Sequence, residues 1–138
     1  MSWDSYVDLL MTNPESVIAE VAICGSTVGE ESVWARKGLD NLKVNDIKAL
    51  ISSRTDFPLK GVEIAGQRYR MLRDELDIEG RNLLHLKSAA DADGHSYGMC
   101  VGKTIKTIII ALGKKDVGNG QLATPVFKMV EYLRKLNS

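Results

Sequence analysis

YGMCVGKTIKTIIIAL, residues 97–112, decides the fold. Its two apolar runs, 97–103 and 106–112, are parted only by a tight turn near Thr104. Parallel strands need a crossover of a dozen residues or more, so these two strands must pair antiparallel. Ile108, Ile109 and Ile110 show no polar alternation, which predicts a strand covered on both faces and placed near the middle of its sheet.

Outward from this hairpin the β pattern continues. A strand is expected at 82–87, before the Ala-Asp-Ala-Asp-Gly loop. Strands at 61–65 and 68–73 flank Gly66-Gln67, where glycine in the first central position suits a type II′ turn. Towards the N-terminus, 17–24 reads as a buried strand ending at Gly25, and 32–36 as a short strand beyond a Gly/Glu turn.

Helices frame these strands. Trp3, Tyr6, Val7, Leu10 and Met11 recur with helical spacing behind Ser2 as N-cap, with Asp4 in the first turn and Pro14 as the stop. Val44, Ile47, Leu50 and Ile51 form a second stripe behind an Asn45 cap, and Phe57-Pro58 marks its exit. Leu122, Val126, Met129, Val130, Leu133 and Leu136 form the last stripe, with Pro125 in the first turn. The economical architecture is α+β in α/β/α layers: one mainly antiparallel sheet with helices on both faces, in a single domain over 1–138.

Composition excludes several classes. Eighteen basic and eighteen acidic side chains cancel, which argues against nucleic-acid binding by phosphate neutralisation. No apolar run approaches the ~20 residues of a membrane span. The opening residues lack the basic region and apolar stretch of a secretory signal, so a cytoplasmic location is expected. Cys24 and Cys100 have apolar neighbours and are expected to be buried, reduced thiols. Gly102-Lys103-Thr104 follows Gly98 one residue too closely for a P-loop, and Gly118-x-Gly120-x-x-Ala123 has no returning strand after it. His85 and His95 have no zinc-like spacing, and no nucleophile has a visible base, so neither a metal, a cofactor nor catalysis is expected.

With only two tryptophans, four tyrosines and two phenylalanines, the positions of Trp3, Tyr6, Trp34 and Tyr132 towards the chain ends suggest a docking surface. A proline-rich segment is a fitting ligand. It holds its extended conformation before binding and presents carbonyl acceptors, and indole and phenol groups offer flat apolar faces edged with an N–H or O–H.

The opening Ser-Trp-x-x-Tyr-Val-Asp-x-Leu-Met, the Ser32-Val33-Trp34-Ala35 element, Gly66-Gln67-Arg68 followed by Met71-Leu72-Arg73-Asp74, and the closing amphipathic helix together resemble profilins over the whole length. The resemblance implies terminal helices side by side on one sheet face and a shorter helix on the other. It implies no catalysis, and three kinds of partner in the cytoplasm and actin cytoskeleton: monomeric actin, proline-rich proteins and acidic phosphoinositides. It assigns Trp3, Tyr6, Trp34 and Tyr132 to proline-rich segments, and Leu59, Arg68, Arg70, Met71, Leu72, Arg73, Arg81, Lys87, Val117 and Gly120 to actin. Arg68, Arg70, Arg73, Arg81 and Lys87, joined by Arg134 and Lys135, form the phosphoinositide patch.

This chain departs from that pattern in two places. Vertebrate-type profilins end in an aromatic, whereas this sequence ends Asn137-Ser138 and carries Tyr132 at a histidine-like position, so weaker or differently selective polyproline binding is expected. Leu122, Ala123 and Thr124 replace polar or basic contacts, and Lys128 replaces an acidic residue. The alternative is therefore a profilin-like adaptor with weakened actin affinity. A small hydrolase with an unrecognised pocket is a third possibility, which retention on immobilised polyproline would separate from the other two.

Overall fold

A computed structural model describes residues 3–12, 17–52 and 54–138. The elements run α1 (Trp3–Thr12), β1 (Ile18–Gly25), β2 (Ser32–Lys37), α2 (Val44–Ile51), α3 (Phe57–Lys60), β3 (Val62–Ile64), β4 (Gln67–Glu75), β5 (Leu83–Ser88), β6 (Gly98–Lys103), β7 (Thr107–Gly113) and α4 (Asn119–Lys135). The strands form one sheet in the order β2-β1-β7-β6-β5-β4-β3, antiparallel at each pairing.

The isoleucine run behaves as its lack of alternation predicts. β7 lies between β1 and β6, and all three isoleucines are fully buried. Ile108 and Ile110 join the core shared with α2 and α3, whereas Ile109 joins the core beneath α1 and α4. Cys24 and Cys100 are buried in opposite cores. Burial pushes both thiols up to about 12, so they are held protonated.

α4 comes close to the sheet because β6 carries glycine beneath it. A Cβ on Gly102 would lie 2.5 Å from Val130 Cγ2 and 2.9 Å from Val126 Cγ1. The Asn119 side-chain amide donates to the Leu86 carbonyl at 3.1 Å and anchors the start of the helix over β5. The terminal helices thus share one face, as expected.

Several local expectations are corrected. Ser2 and Pro14 lie outside the described residues. Lys43, not Asn45, is the N-cap of α2, and its N–H donates to Asp46 Oδ2 at 3.0 Å. The same carboxylate oxygen accepts the Ala65 N–H at 3.0 Å, tying α2 to the β3–β4 turn. That turn is centred on Ala65-Gly66 rather than Gly66-Gln67: both have positive φ, 52° and 81°, while Gln67 already pairs with Ile64. Two central residues at positive φ make it the I′ kind, whose twist matches the strands, and Asp46 helps hold the alanine there. Phe57-Pro58 opens the one-turn α3 instead of an extended exit, because proline fits a first helical turn. Pro125 is the seventh residue of α4, since the helix starts at Asn119, and Leu136 is half-exposed beyond the buried stripe.

Candidate functional site

The aromatic side chains form a continuous row. Trp34 and Trp3 have ring centroids 5.1 Å apart, Trp3 and Tyr6 5.4 Å with edge-to-face geometry, and Tyr6 and Tyr132 6.0 Å, also edge-to-face. Three elements supply them: α1 gives Trp3 and Tyr6, β2 gives Trp34 and α4 gives Tyr132. Exposure alternates along the row. Trp34 and Tyr132 are 42% and 47% exposed, Trp3 is half-buried, and Tyr6, at 8%, forms the floor.

A bulge directs Trp34 outward. β1 pairs Ile23 with Ala35 and then Cys24 with Val33, which leaves Trp34 as the extra residue. Its indole Nε1 donates to Ser32 Oγ at 3.0 Å, so a ligand carbonyl would have to exchange with that hydroxyl. Beyond Tyr132, an apolar depression of about 260 Å³ continues the row past Leu9, Pro125, Lys128 and Met129.

Ser138 sits beside this region. Its main-chain oxygen accepts from Lys106 N at 2.8 Å and Thr104 Oγ1 at 2.7 Å, and the Lys106 carbonyl accepts from Ser26 N next to Gly25. The position is therefore close to the Trp34 end of the row, where the serine offers no ring.

The basic residues gather elsewhere, on the part of the sheet that α4 leaves uncovered. Arg70 pairs opposite Lys87, and Arg73 opposite His85. Lys87 and His85 alternate with Leu83, a residue of the core beneath α4, so these side chains share α4's face of the sheet. Arg68 pairs opposite Glu63, and its guanidinium donates to the Lys60 carbonyl, next to the 92%-exposed Leu59 of α3. Leu72 is the extra residue of a second bulge and is 46% exposed, while Met71 turns partly into the other core.

Glu75 organises the end of this face. Its carboxylate stands 3.7 Å from Arg73 Nη1 and 3.9 Å from Arg81 Nε. With His85, Leu83, Ala123 and Phe127 these residues line a depression of about 360 Å³ between β4, β5 and α4. Burial, reinforced by the charge of Arg73, lowers the His85 pKa and keeps the imidazole neutral. Gly120 is exposed at the start of α4, and Val117 packs partly against the core just before it.

Sequence reasoning gave His85 no role and did not single out Phe127, both of which line this depression. The strand alternation that puts His85 between Leu83 and Lys87 could have found the first. Leu122 is fully buried, so its difference from the family pattern belongs to the core. Arg134 stands apart from the patch. Its Nε and Nη2 both donate to the Lys103 carbonyl, at 3.0 and 2.7 Å, which commits the guanidinium to joining α4 to β6, while Lys135 stays exposed.

A sequence model of the profilin family matches residues 1–138. Human profilin-1 is 27% identical over 137 residues, covering 96% of each chain, and rat profilin-2 is 26% identical over 136 residues, covering 96% of this chain and 95% of its own. Among solved structures, rat profilin 2a superposes with a TM-score of 0.89 at 26% identity, covering 99% of this chain and 96% of its own. Mouse profilin IIa, solved with a double repeat from the FH1 domain of mDia1, gives 0.91 at 24% identity with full coverage of both. With a match along its whole length and the same arrangement of sheet and helices, this chain belongs to the profilin family.

Proposed function

We propose that this protein binds monomeric actin on the β4–β5 face and proline-rich segments along the row Trp34–Trp3–Tyr6–Tyr132, and so regulates actin polymerisation in the cytoplasm. Profilins are non-enzymatic actin-binding proteins. The observation that carries the proline-rich reading is the continuous row, drawn from both terminal helices and a bulged strand. Such a surface suits a ligand that is already extended and offers apolar ring edges and carbonyls, because little entropy is lost on docking. The fold shared with mouse profilin IIa, solved with an FH1 double repeat, supports it further.

For actin, the reading rests on the basic face of β4 and β5 with its apolar edge at Leu59, Leu72 and Phe127. Arginine pairs with carboxylates through two parallel hydrogen bonds while its flat face stacks, so the partner surface is acidic with an apolar centre. Acidic phosphoinositides are assigned to the same side chains, Arg68, Arg70, Arg73, Arg81 and Lys87. Each is worth about 1 kcal/mol near an anionic leaflet, and lipid and actin therefore compete.

A titration with proline-rich peptide followed by tryptophan fluorescence, and actin pelleting with and without phosphoinositide vesicles, test the two surfaces separately. No fluorescence change at millimolar peptide overturns the first assignment. Unchanged pelleting in the presence of the protein overturns the second.

A further inference from the structure

On the sheet face opposite the aromatic row, a half-open cavity of about 420 Å³ lies between β1, the β2–α2 connection, the β3–β4 hairpin and the β5–β6 loop. Its volume is in the range of small-molecule sites. Neither docking surface uses it.

Its charge is one-sided. Glu20, Asp40 and Asp91 line it with no lysine or arginine among the described lining residues, although the chain as a whole is neutral. Cations stand at its rim: Arg36 Nη1 donates to the carbonyls of Leu39 and Asp40, and the charges of His95 and Lys115 act on Asp91, which leaves Glu20 as the carboxylate that carries the negative charge of the cavity. Glu20 is held in place because its Oε1 accepts the Leu39 N–H at 2.9 Å.

The second observation is Tyr69. The residue is only 4% exposed, yet its hydroxyl forms no hydrogen bond with any described residue. No fully buried side-chain oxygen or nitrogen among those residues lacks a partner, so this hydroxyl must open into the cavity it lines. Burial, with the charge of Glu20 added, pushes the phenol up to about 12, which keeps it neutral. A neutral phenol has both a lone pair and a proton to offer to a group that enters the cavity.

We propose that this cavity binds a primary alkylammonium group, with the Glu20 carboxylate as counter-ion, the Tyr69 hydroxyl oxygen accepting one N–H, and the Tyr97 ring beside the alkyl chain. An N–H-bearing cation uses the hydroxyl, which a quaternary ammonium cannot do. A metal ion fits less well, because no group of three His, Cys, Asp or Glu suited to one occurs among the described residues. The charge comes from either a free amine or a lysine side chain of a partner.

The test is a titration of the full chain with 1,4-diaminobutane, followed through backbone amide NMR shifts, beside the uncharged 1,4-butanediol. Saturable shifts at Glu20, Tyr69 and Tyr97 with the diamine alone are expected. Tyr69→Phe and Glu20→Gln, both nearly isosteric, should each weaken binding about tenfold, the scale of a hydrogen bond to a charged group. A lysine peptide against its acetyl-lysine form distinguishes a protein partner from a free amine. Equal shifts with diol and diamine, absence of saturation, or wild-type binding by both variants overturns the proposal. Should a variant fail to fold, the diol comparison on the unaltered chain still decides. The proline-peptide response of folded Tyr69→Phe should be unchanged, which keeps this result separate from the row.

Discussion

The indole of Trp34 lies on Gly25 so closely that a Cβ at position 25 would meet its Cε2 and Cζ2 at 2.8 Å. The glycine thus sets the height of the exposed end of the aromatic row. Because Trp34 is half open to solvent, a methyl group there displaces the ring instead of compressing the core. Gly25→Ala should leave the thermal midpoint nearly unchanged and weaken proline-peptide binding about fivefold, the loss of about 1 kcal/mol of ring contact. Fluorescence titration beside thermal melting checks the pair of outcomes, and unaltered affinity would remove Trp34 from the site.

Arg54 sustains a different kind of order. At 9% exposure it donates to Asp74 Oδ2 at 2.8 Å, Asp77 Oδ2 at 2.5 Å and the Leu50 carbonyl at 2.8 Å, so one side chain joins the end of α2 to β4 and the turn after it. Burial works against its charge, but the hydrogen bonds to Asp74 and Asp77 outweigh it and raise its pKa. Asp77 is largely exposed and keeps Lys103, so the loss falls on Asp74 and the Leu50 carbonyl, and Arg54→Ala should cost about 2 kcal/mol in urea unfolding. A loss near zero would show that water replaces the guanidinium without penalty.

The same cluster sets an acid response. Hydrogen bonds from Lys103, at 2.9 Å, and from Arg54 hold the Asp77 carboxyl below its ordinary value. A depressed folded-state pKa means that Asp77 contributes stability above its unfolded pKa of about 4 and loses it as pH falls through the lower folded value. Asp77→Asn should therefore lower stability at neutral pH and flatten its decline below about pH 4. Denaturant melts from pH 2 to 7 report both changes, and a wild-type acid slope in the variant would exclude Asp77 as its source.

These networks show which parts of the molecule a sequence reveals. The isoleucines of β7 and the stripe of α4 declare themselves through periodicity, because burial on one or two faces writes directly into residue order. Arg54 does not, since its partners lie 20 and 23 residues away and become neighbours only after β4 docks. The Ala65-Gly66 turn is not legible at its true position because alanine disfavours positive φ, a preference that the hydrogen bond to Asp46 of α2 offsets. The four row aromatics were legible as a group. The two bulges that turn Trp34 and Leu72 outward were not, because a bulge is a property of the pairing.

Close packing over β6 fixes where α4 can stand. Gly102→Ala drives a Cβ into Val130 and Val126 and should cost about 2 kcal/mol, the scale of overpacking a well-filled core. Val130→Ala alone creates a cavity and also destabilises, yet the double variant should be more stable than the sum of the two losses predicts, since each relieves the other. Additive losses in a denaturant cycle would mean that the helix shifts bodily. In that case Tyr132 moves off Tyr6 and proline-peptide affinity falls with it.

Arg70 and Lys87 stand directly opposite on adjacent strands, a like-charge arrangement that weakens a sheet. No ion pair involving either occurs among the described residues. A protein selected for stability alone has no use for such a pair, whereas one that meets an anionic partner gains two uncommitted cations. Arg70→Glu converts the repulsion into a cross-strand attraction, so stability should rise by about 0.5 kcal/mol while actin pelleting and vesicle binding weaken at least tenfold. The opposite signs matter, because a misfolded variant would lose both. Stabilisation with undiminished actin and vesicle binding would place both partners away from this face, and destabilisation would show that the two cations are already neutralised within the fold.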